Sequence, residues 1–341
     1  MTLDQSATKL LYKVSKAYYE DGLTQQEIGA RLGLSRIKVS RLLSQAKEEG
    51  IVQITIVPLS DSNADVERAL ESQFDLLEAV VVTPSNNMDA ALLPALGLAG
   101  AQCLVRSLSG AEVVGLSWGT TLHAVIEALP LNTWPEMTVV QILGGLGHPE
   151  AEVHGTDLAR RMAQRFNAKL RLLPAPGVVS SKLVRDALIV DPQIRSTLAL
   201  AAKADVILLG IGIPLHSTAL EQSDILSYEE IVAVMGKGAV GDIGLRFFDG
   251  QGKPMQHEVN DRTIGLTLEQ IQQIPRRIGI AGGDAKLDVI QGALRGRWIN
   301  VLVTDDQIAR RLLHGAGAQD PVLHSAPGQE NNEYVSLSSW N

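Results

Sequence analysis

The 341-residue sequence predicts an α/β protein in which a small helical segment precedes a large, mostly parallel, Rossmann-like β-sheet. In residues 1–57, apolar residues recur at helical spacing. From Asp65 onward, short runs of β-branched residues alternate with helical patterns, and these runs are almost continuously apolar. Strands that are apolar on both faces are typical of a parallel sheet covered by helices on both sides.

Composition and charge separate the two parts of the chain. Hydrophobic residues make up 45% and charged residues 20% of the sequence, which is typical of a globular protein. Residues 1–57 carry a net charge of +2, so the rest carries −10 of the total −8. This distribution excludes a protein that coats nucleic acid along its whole length and favours a basic DNA-binding segment on an acidic body.

Neither the N-terminal residues nor the cysteine content indicates secretion. The N-terminal residues mix lysines with apolar residues and lack the unbroken apolar stretch of a signal peptide. The single cysteine, Cys103, lies in an apolar run and is expected to be buried packing. We therefore expect a cytoplasmic protein without a membrane span.

The first 57 residues have the local signals of a helix-turn-helix. A first helix is predicted around 10–18, and Thr24 with Glu27 forms the pattern of a capping box that begins a second. Gly33 permits the left-handed turn that ends it, and Ser35 is suited to cap a third helix over 36–46.

The third helix combines an inward apolar stripe with a basic outer face. A structural helical hairpin explains the stripe, but it does not require the capping box, the glycine turn, the serine cap and the basic face together. Guanidinium and amide donors on such a helix suit base edges in the major groove, and capped helix starts suit phosphates. The predicted DNA-contacting residues are Tyr18, Gln25, Ser35, Arg36, Lys38, Ser40 and Arg41.

The remaining boundaries follow from composition. Residues 51–57 alternate like a strand and are predicted to be a wing or a first interdomain strand. We predict a helix-turn-helix, winged-helix-like domain at 1–57, a linker at 58–64, an effector-binding and oligomerisation domain at 65–314, and a flexible polar tail at 315–341.

Glycine-rich and hydroxyl-rich segments follow several predicted strands of the body. The strands are predicted at 79–83, 112–116, 137–142, 169–173, 204–209, 277–280 and 299–303. The segments 117–121, 143–149, 210–212 and 281–286 come directly after four of them, and 238–244 is a further glycine loop. Each alone is an ordinary β-to-α connection, but four at one sheet edge favour a ligand pocket, because ligands bind at the carboxyl ends of parallel strands.

Several other classes of site are disfavoured. None of the glycine segments matches the dinucleotide fingerprint or the P-loop, and the seven histidines lack metal-ligand spacing, so no cofactor and no metal are predicted.

Two alternatives to a regulator stay open. A sugar-phosphate isomerase or deaminase with a DNA-binding head would need a catalytic base, for which Asp242 and Asp284 are candidates. A scaffold protein would show no salt-dependent operator binding.

Several motifs resemble the SorC/DeoR-type family of sugar-operon regulators. The head contains Tyr18-Tyr-Glu-Asp-Gly-Leu-Thr-Gln25, a segment 28–36 and a segment 38–43 that are similar to the family's DNA-binding domain. Gly238-Ala-Val-Gly-Asp-Ile243 and Gly279-Ile-Ala-Gly-Gly-Asp-Ala-Lys286 resemble its sugar-binding domain. The similarity extends from about Leu11 to about Leu313.

The resemblance implies a fold related to sugar-phosphate isomerases and deaminases that is used as a sensor, and a tetramer whose operator binding responds to a phosphorylated sugar or sugar alcohol. It places a phosphate against one set of residues, Gly119, Thr120, Thr121, Gly283 and Lys286. It places Asp242 on sugar hydroxyls and lines the pocket with Ser117, Gly144, Gly145 and Gly212. Family members that bind doubly phosphorylated sugars carry an arginine where this sequence has Leu146 and His148, which does not support a second phosphate.

Overall fold

The computed structural model describes residues 5–54, 63–84, 89–145, 155–213 and 226–315. The chain divides into two compact units, Met1–Ser62 and Asn63–Asn341. Most of the predicted linker and the predicted tail beyond 315 lie outside the described residues. The second unit begins with a helix that already starts at Ala64, inside the range predicted as linker.

Three helices form the described part of the first unit: α1 (Gln5–Tyr19), α2 (Gln25–Leu32) and α3 (Arg36–Glu48). Four buried side chains form their small core: Val14 from α1, Ile28 from α2, and Val39 and Leu43 from α3. These are the helices that the sequence predicts. The prediction of a strand at 51–57 is wrong for 51–54, because 51–52 form a bend and 53–54 have no regular secondary structure. The other residues of this prediction lie outside the described ranges.

The turn between α2 and α3 depends on two glycines with different functions. Gly33 has a φ of 67°, the left-handed conformation expected of a residue that ends a helix. Gly29 has an ordinary backbone, but a Cβ at its position would lie 2.6 Å from the carbonyl oxygen of Leu34. The close approach of α2 to the turn therefore requires a residue without a side chain.

Replacing Gly29 with alanine should loosen the first unit. The backbone of the turn has to move away from the new methyl group, at a cost of about 1–3 kcal/mol in the free energy of unfolding of this unit. Hydrogen exchange of the full-length protein should show faster exchange across α2 and α3 and unchanged exchange in the second unit. Gly236→Ala is the matched control, since an added Cβ there meets no atom within 4 Å. Equal protection in both variants would contradict this explanation of Gly29.

The second unit is built on a seven-stranded sheet with the order β1-β9-β8-β5-β2-β3-β4, in which every neighbouring pair is parallel. The seven predicted strands are confirmed, with ends that differ by up to two residues. Their bounds are β1 Glu78–Val82, β2 Val113–Leu116, β3 Thr138–Gln141, β4 Lys169–Arg171, β5 Val206–Gly210, β8 Arg276–Ile280 and β9 Val301–Asp305.

Both faces of this sheet are buried, as the apolar strands predict. In β5, Val206 and Leu208 belong to one apolar cluster, whereas Ile207 and Leu209 belong to the other. Successive side chains of a strand point to opposite faces, so the two clusters are the cores on the two sides of the sheet. Cys103 is fully buried in one of them, as predicted.

Helices cover the sheet. Those of the second unit are α4 Ala64–Phe74, α5 Asp89–Val105, α6 Thr120–Ala128, α7 Gly155–Phe166, α8 Lys182–Ile189, α9 Pro192–Ala201, α10 Tyr228–Gly236, α11 Glu258–Arg262, α12 Leu268–Gln272, α13 Leu287–Arg295 and α14 Asp306–His314. Across the described ranges, none of the helices has the length and hydropathy that crossing a membrane requires.

A hairpin replaces one predicted glycine loop. Residues 238–244 were expected to be a loop, but Ala239–Ile243 forms β6, which pairs antiparallel with β7 (Arg246–Asp249). Gly241 is needed there for contact rather than for flexibility, because a Cβ at its position would overlap the side chain of Val289. The hairpin thereby packs against α13 and brings Asp242 to the carboxyl ends of the sheet strands.

Candidate functional site

The first candidate site is the outer face of α3. The side chain of Ser35 accepts a hydrogen bond from the backbone N–H of Lys38 at 3.2 Å, and Thr24 and Glu27 form the predicted capping box of α2. Both predicted caps are therefore present. The inward stripe of α3 is buried at Val39 and Leu43, which leaves the opposite side of the helix to solvent.

The cations of this face have no carboxylate partner in the described part of the head. Arg36, Lys38 and Arg41 are exposed, and the ion pair observed in this unit joins Lys16 and Glu20 on α1 at 3.1 Å. An unpaired guanidinium is available to phosphates and guanine edges without first losing an internal partner. Ser35 and Ser40 are exposed beside these cations.

The other predicted contacts in this unit differ in exposure. Gln25 is half-buried at the start of α2, and Tyr18 is 36% exposed, with its ring edge-on to Tyr19. Sequence reasoning missed Ile37, which is 68% exposed among the cations of α3. Its position off the inward stripe was the available signal. An exposed aliphatic group on such a helix is a candidate contact for a thymine methyl group.

The second candidate site lies at the carboxyl ends of four adjacent strands, β8, β5, β2 and β3. The chain runs from β2 outward through β3 to β4 and then returns to β5 on the other side of β2. This reversal is the topological switch point at which open parallel sheets bind ligands. At a spacing of about 4.8 Å between strands, the four ends span roughly 14 Å, which is the scale of a small metabolite.

At the β2 and β3 ends, two polar side chains contact one small pocket. Ser117 and Gln141 are 3% and 2% exposed, and both line this pocket with Trp118 and Gly144. Gln141, which the sequence analysis missed, accepts a hydrogen bond from the backbone N–H of Leu173 at 3.2 Å. Trp118 is half-buried and lines the same pocket. A polar residue that ends an apolar strand was the signal for Gln141.

The two glycines after β3 do not offer free backbone amides. The N–H of Gly144 donates to the carbonyl of Ile264 at 2.9 Å, and the N–H of Gly145 donates to Ala175 at 2.8 Å. A Cβ on Gly144 would overlap the backbone of Pro176. The glycine content of 143–149 suggests a flexible segment, but residues 143–145 are held by these contacts and are not flexible in this way. Residues 146–149, with Leu146 and His148, lie outside the described residues.

Gly119 joins β2 to α6 with a φ of 124°, a conformation that side-chain-bearing residues rarely adopt. Thr120 is exposed and Thr121 half-buried in the first turn of α6. Their hydroxyl groups and the first amides of the helix lie at the switch point. Anions bind favourably at such helix starts.

Asp242 is held in place from two sides. Its backbone exchanges two hydrogen bonds with Gly212, at 2.9 and 3.1 Å, and its carboxylate accepts the N–H of Leu245 at 2.9 Å. Gly212 has to be glycine, because a Cβ there would overlap the Asp242 carboxylate. Burial raises the pKa of Asp242, and the Leu245 amide and the charge of Lys286 partly oppose this shift.

Lys286 brings a half-buried ammonium group to the same end of the sheet. Its Nζ donates to the carbonyl of Ile211 at 2.7 Å, the hydrogen bond observed for this group within the described residues. An ammonium group has three donors, so two remain for a ligand. Burial lowers the pKa of Lys286, and the charge of Asp242 opposes the shift. The structure thus brings together three predicted residues, Gly212, Asp242 and Lys286.

Asp305, at the end of β9, supports the loop that carries Lys286. Its carboxylate is 4% exposed and accepts the N–H of Gly283 at 2.7 Å and the N–H of Ile308 at 2.9 Å. The amide of Gly283 is therefore occupied. The sequence analysis missed Asp305, although an aspartate between a strand and a helix is a recognisable helix cap.

Replacing Asp305 with alanine should destabilise the second unit by about 2–4 kcal/mol, because two amides that it satisfies in a buried setting lose their acceptor. Urea unfolding followed by circular dichroism measures this change. Asp306→Ala is the control, since the side chain of Asp306 is half-buried in the first turn of α14 and holds neither amide. A loss below 1 kcal/mol for Asp305→Ala, or equal losses in both variants, would contradict the support role.

Comparison with family models gives one match for each of the two units, and several curated relatives match most of the chain. Residues 60–314 match the family model described as "Putative sugar-binding domain", and residues 14–48 match "Sigma-70, region 4". A deoxyribonucleoside regulator from Bacillus subtilis (strain 168) is 33% identical over 313 residues, which cover 92% of this chain and 99% of that protein. A sorbitol operon regulator from Klebsiella pneumoniae is 32% identical over 307 residues, or 89% and 98% of the two chains.

Comparison with solved structures gives the same family. The full-length sorbitol operon regulator SorC from Klebsiella pneumoniae has a TM-score of 0.70 at 31% identity, covering 91% of this chain and 100% of that chain. The chain belongs to the SorC/DeoR-type family of sugar-binding transcriptional regulators. The predicted resemblance and fold class are thereby confirmed.

Proposed function

We propose that the protein is a cytoplasmic, operator-binding regulator of a carbohydrate-catabolism operon, and that a phosphorylated sugar or sugar alcohol controls its affinity for DNA. The relatives named for sorbitol and for deoxyribonucleosides support a ligand of this class. Double-stranded DNA is the macromolecular partner in this proposal, and no cofactor or metal takes part.

The proposal rests on one observation: the cations available to a ligand differ in number and in exposure between the two units. The exposed, unpaired cations of α3 suit a polyanionic duplex, whereas Lys286 is a single half-buried cation with donors left for one small anion. Each group is suited to a different partner. One chain is thereby equipped both to bind DNA and to detect a metabolite.

A phosphorylated ligand would use three kinds of group at the strand ends. We assign its phosphate to the ammonium group of Lys286 and to the hydroxyl groups and first amides at Thr120 and Thr121. We assign its hydroxyl groups to the carboxylate of Asp242. Ser117 and the glycines 144, 145, 212 and 283 contribute shape, because the backbone N–H groups of all five residues already have acceptors.

The ligand acts by binding one quaternary arrangement more strongly than another. A ligand shifts such an equilibrium only by its difference in affinity for the two states. We propose a homo-oligomer, and specifically a tetramer, in which this shift changes the spacing of paired heads relative to two operator half-sites. Sedimentation velocity at several protein concentrations, with and without ligand, tests the oligomer; a monomer throughout would contradict it.

A thermal-shift screen with matched pairs of sugars and sugar phosphates tests the ligand class. A ligand that binds only the folded protein raises the free energy of unfolding, and with it the melting temperature, once its concentration exceeds the dissociation constant. At a hundredfold excess over the dissociation constant, the free energy of unfolding rises by about 2.7 kcal/mol. We expect at least one phosphorylated compound to stabilise the second unit and its unphosphorylated partner to do so less. Equal shifts for both members of every pair would contradict a phosphorylated effector.

The competing candidate is a sugar-phosphate isomerase or deaminase, and a specific observation favours examining it. Asp242 is a buried carboxylate with a raised pKa, a property of many catalytic bases. Asp284 is a weaker candidate, since it is exposed and paired with Arg311 at 3.2 Å. NMR of the stabilising ligand during prolonged incubation with the protein distinguishes the two functions. A regulator leaves the ligand unchanged, whereas product formation that Asp242→Asn abolishes would establish the enzyme.

A further inference from the structure

A second, arginine-lined pocket lies outside the candidate effector site. It is an open pocket of about 340 Å³, at the lower end of the range of roughly 300–1,000 Å³ that is usual for small-molecule sites. Three arginines line it, Arg185, Arg195 and Arg246, and none of its lining residues is acidic. The two binding sites assigned above use none of them.

Arg195 and Arg185 extend from neighbouring helices. Arg195, on α9, is exposed, and its guanidinium has no partner within the described residues. Arg185, on α8, is half-buried and donates through Nε to the carbonyl of Asp261 at 2.9 Å. Its other contact is Asp186, whose carboxylate it shares with Lys182. Arg195 is therefore wholly available to a ligand, and Arg185 is available in part.

Arg246, on β7, fixes the wall of the pocket. Its guanidinium donates to four backbone carbonyls, those of Asn260, Thr263, Gly265 and Leu266. Burial, and next the charge of Arg185, lower the pKa of Arg246 to about 10, so it remains a cation at neutral pH. The four carbonyl groups stabilise this cation, and within the described residues no carboxylate forms an ion pair with it. Its charge adds to those of Arg185 and Arg195 in the pocket lining, and the charges of Glu269 and Asp261 partly offset it.

Residues 263–266 separate this pocket from the strand ends. On one side their carbonyls accept the hydrogen bonds of Arg246. On the other side Gly144 donates to Ile264 at 2.9 Å, and Leu266 donates to Ile142 at 2.9 Å. The segment thus lies between the arginine pocket and the end of β3, and the two sites are distinct.

We propose that this pocket is a second anion-binding site, specific for a small molecule that carries phosphoryl groups. Guanidinium groups bind phosphate oxygens through two parallel hydrogen bonds, and the unpartnered Arg195 offers such a pair of donors. Gln270 supplies a neutral contact in the same pocket. The oxygen of its carboxamide accepts a hydrogen bond from the backbone N–H of Thr267 at 2.9 Å.

Calorimetric titration of the full-length protein with pyrophosphate tests this site. All variants carry Lys286→Ala, which removes the cation of the candidate effector site and so weakens its contribution. We expect Arg195→Gln to weaken pyrophosphate binding at least fivefold and Arg195→Glu to abolish it. Arg68→Gln and Arg68→Glu, at an exposed arginine on α4, make the same charge changes outside the pocket and should leave the affinity unchanged.

The outcomes separate the possibilities. Absence of pyrophosphate binding, or equal losses from the Arg195 and Arg68 variants, overturns the proposal. A lower oligomer mass for Arg195→Glu in sedimentation would show that the pocket binds an acidic group of a second copy of the chain. That result would also overturn the proposed small-molecule site. Because the titration uses no sugar, its result is independent of whether the proposed sugar effector is correct.

Discussion

Replacing Arg41 with alanine is expected to lower affinity for a specific operator about tenfold to a hundredfold. A guanidinium that contacts a base edge contributes about 1–3 kcal/mol, and each factor of ten corresponds to about 1.4 kcal/mol. Arg41 is exposed on the outer face of α3, away from the buried Val39 and Leu43, so its removal should leave the head folded. Fluorescence anisotropy with a duplex that the wild-type protein selects from a random pool measures the change.

Arg31→Ala is the matched control for Arg41→Ala. Arg31 is an exposed arginine near the end of α2, and it lines a groove with Lys13 and Lys16 of α1 rather than the outer face of α3. It removes the same charge from the same unit, so it measures the non-specific electrostatic contribution. Equal losses in the two variants, with equal salt dependence, would show that α3 has no special place in DNA recognition.

Replacing Lys286 with alanine is expected to weaken binding of the phosphorylated effector by about 2–3 kcal/mol, or roughly 30-fold to 150-fold. A hydrogen bond to a charged group contributes about 1.5–3 kcal/mol, and Lys286 has two donors left for the phosphate. Operator affinity in the absence of ligand should not change. The response of operator binding to the ligand should disappear over the concentrations that affect the wild-type protein.

Lys237→Ala is the control for Lys286→Ala, because Lys237 is an exposed lysine at the end of α10. It should bind the ligand as the wild-type protein does. If Lys286→Ala retains full affinity for the phosphorylated compound, the assignment of the phosphate to Lys286 is wrong. If it weakens the phosphorylated and unphosphorylated compounds equally, the lysine contacts another part of the ligand.

The elements that the sequence predicts well are those with strong local signals. The head follows from Thr24, Gly33 and Ser35, each of which determines a cap or a turn within a few residues of itself. The sheet follows from apolar runs such as β5, in which both faces are buried and polar residues are excluded. Local capping chemistry and continuous hydrophobicity need no knowledge of distant contacts.

The details that the sequence does not predict depend on partners far along the chain. Glycine at 241 suggests a flexible loop, but it is required by the side chain of Val289 in a helix some fifty residues later. No local pattern around Gly283 shows that its amide donates to the carboxylate of Asp305, which lies 22 residues later in the chain. The same holds for Gly144 and its acceptor Ile264. A local pattern identifies the glycine, but only the fold identifies what requires it.

Structure also changes the chemical description of the effector site. From sequence, four glycine-rich segments at one sheet edge favour a ligand pocket, and the family resemblance places a phosphate against several of their residues. In the folded protein, several backbone amides of these segments already donate to acceptors within the protein. The charged protein groups that we assign to the ligand are the ammonium of Lys286 and the carboxylate of Asp242. Ligand specificity is therefore expected to depend on few side chains, held by a rigid backbone.

The most direct measurement of the central claim is a titration of the protein–operator complex with the sugar phosphate that stabilises the protein most. Anisotropy of the selected duplex reports DNA binding, and NMR of the same samples reports the ligand. The predicted result is a change in operator affinity of at least fivefold while the sugar phosphate remains chemically intact. An operator affinity that is indifferent to saturating ligand, or conversion of the ligand into a product, would contradict the account.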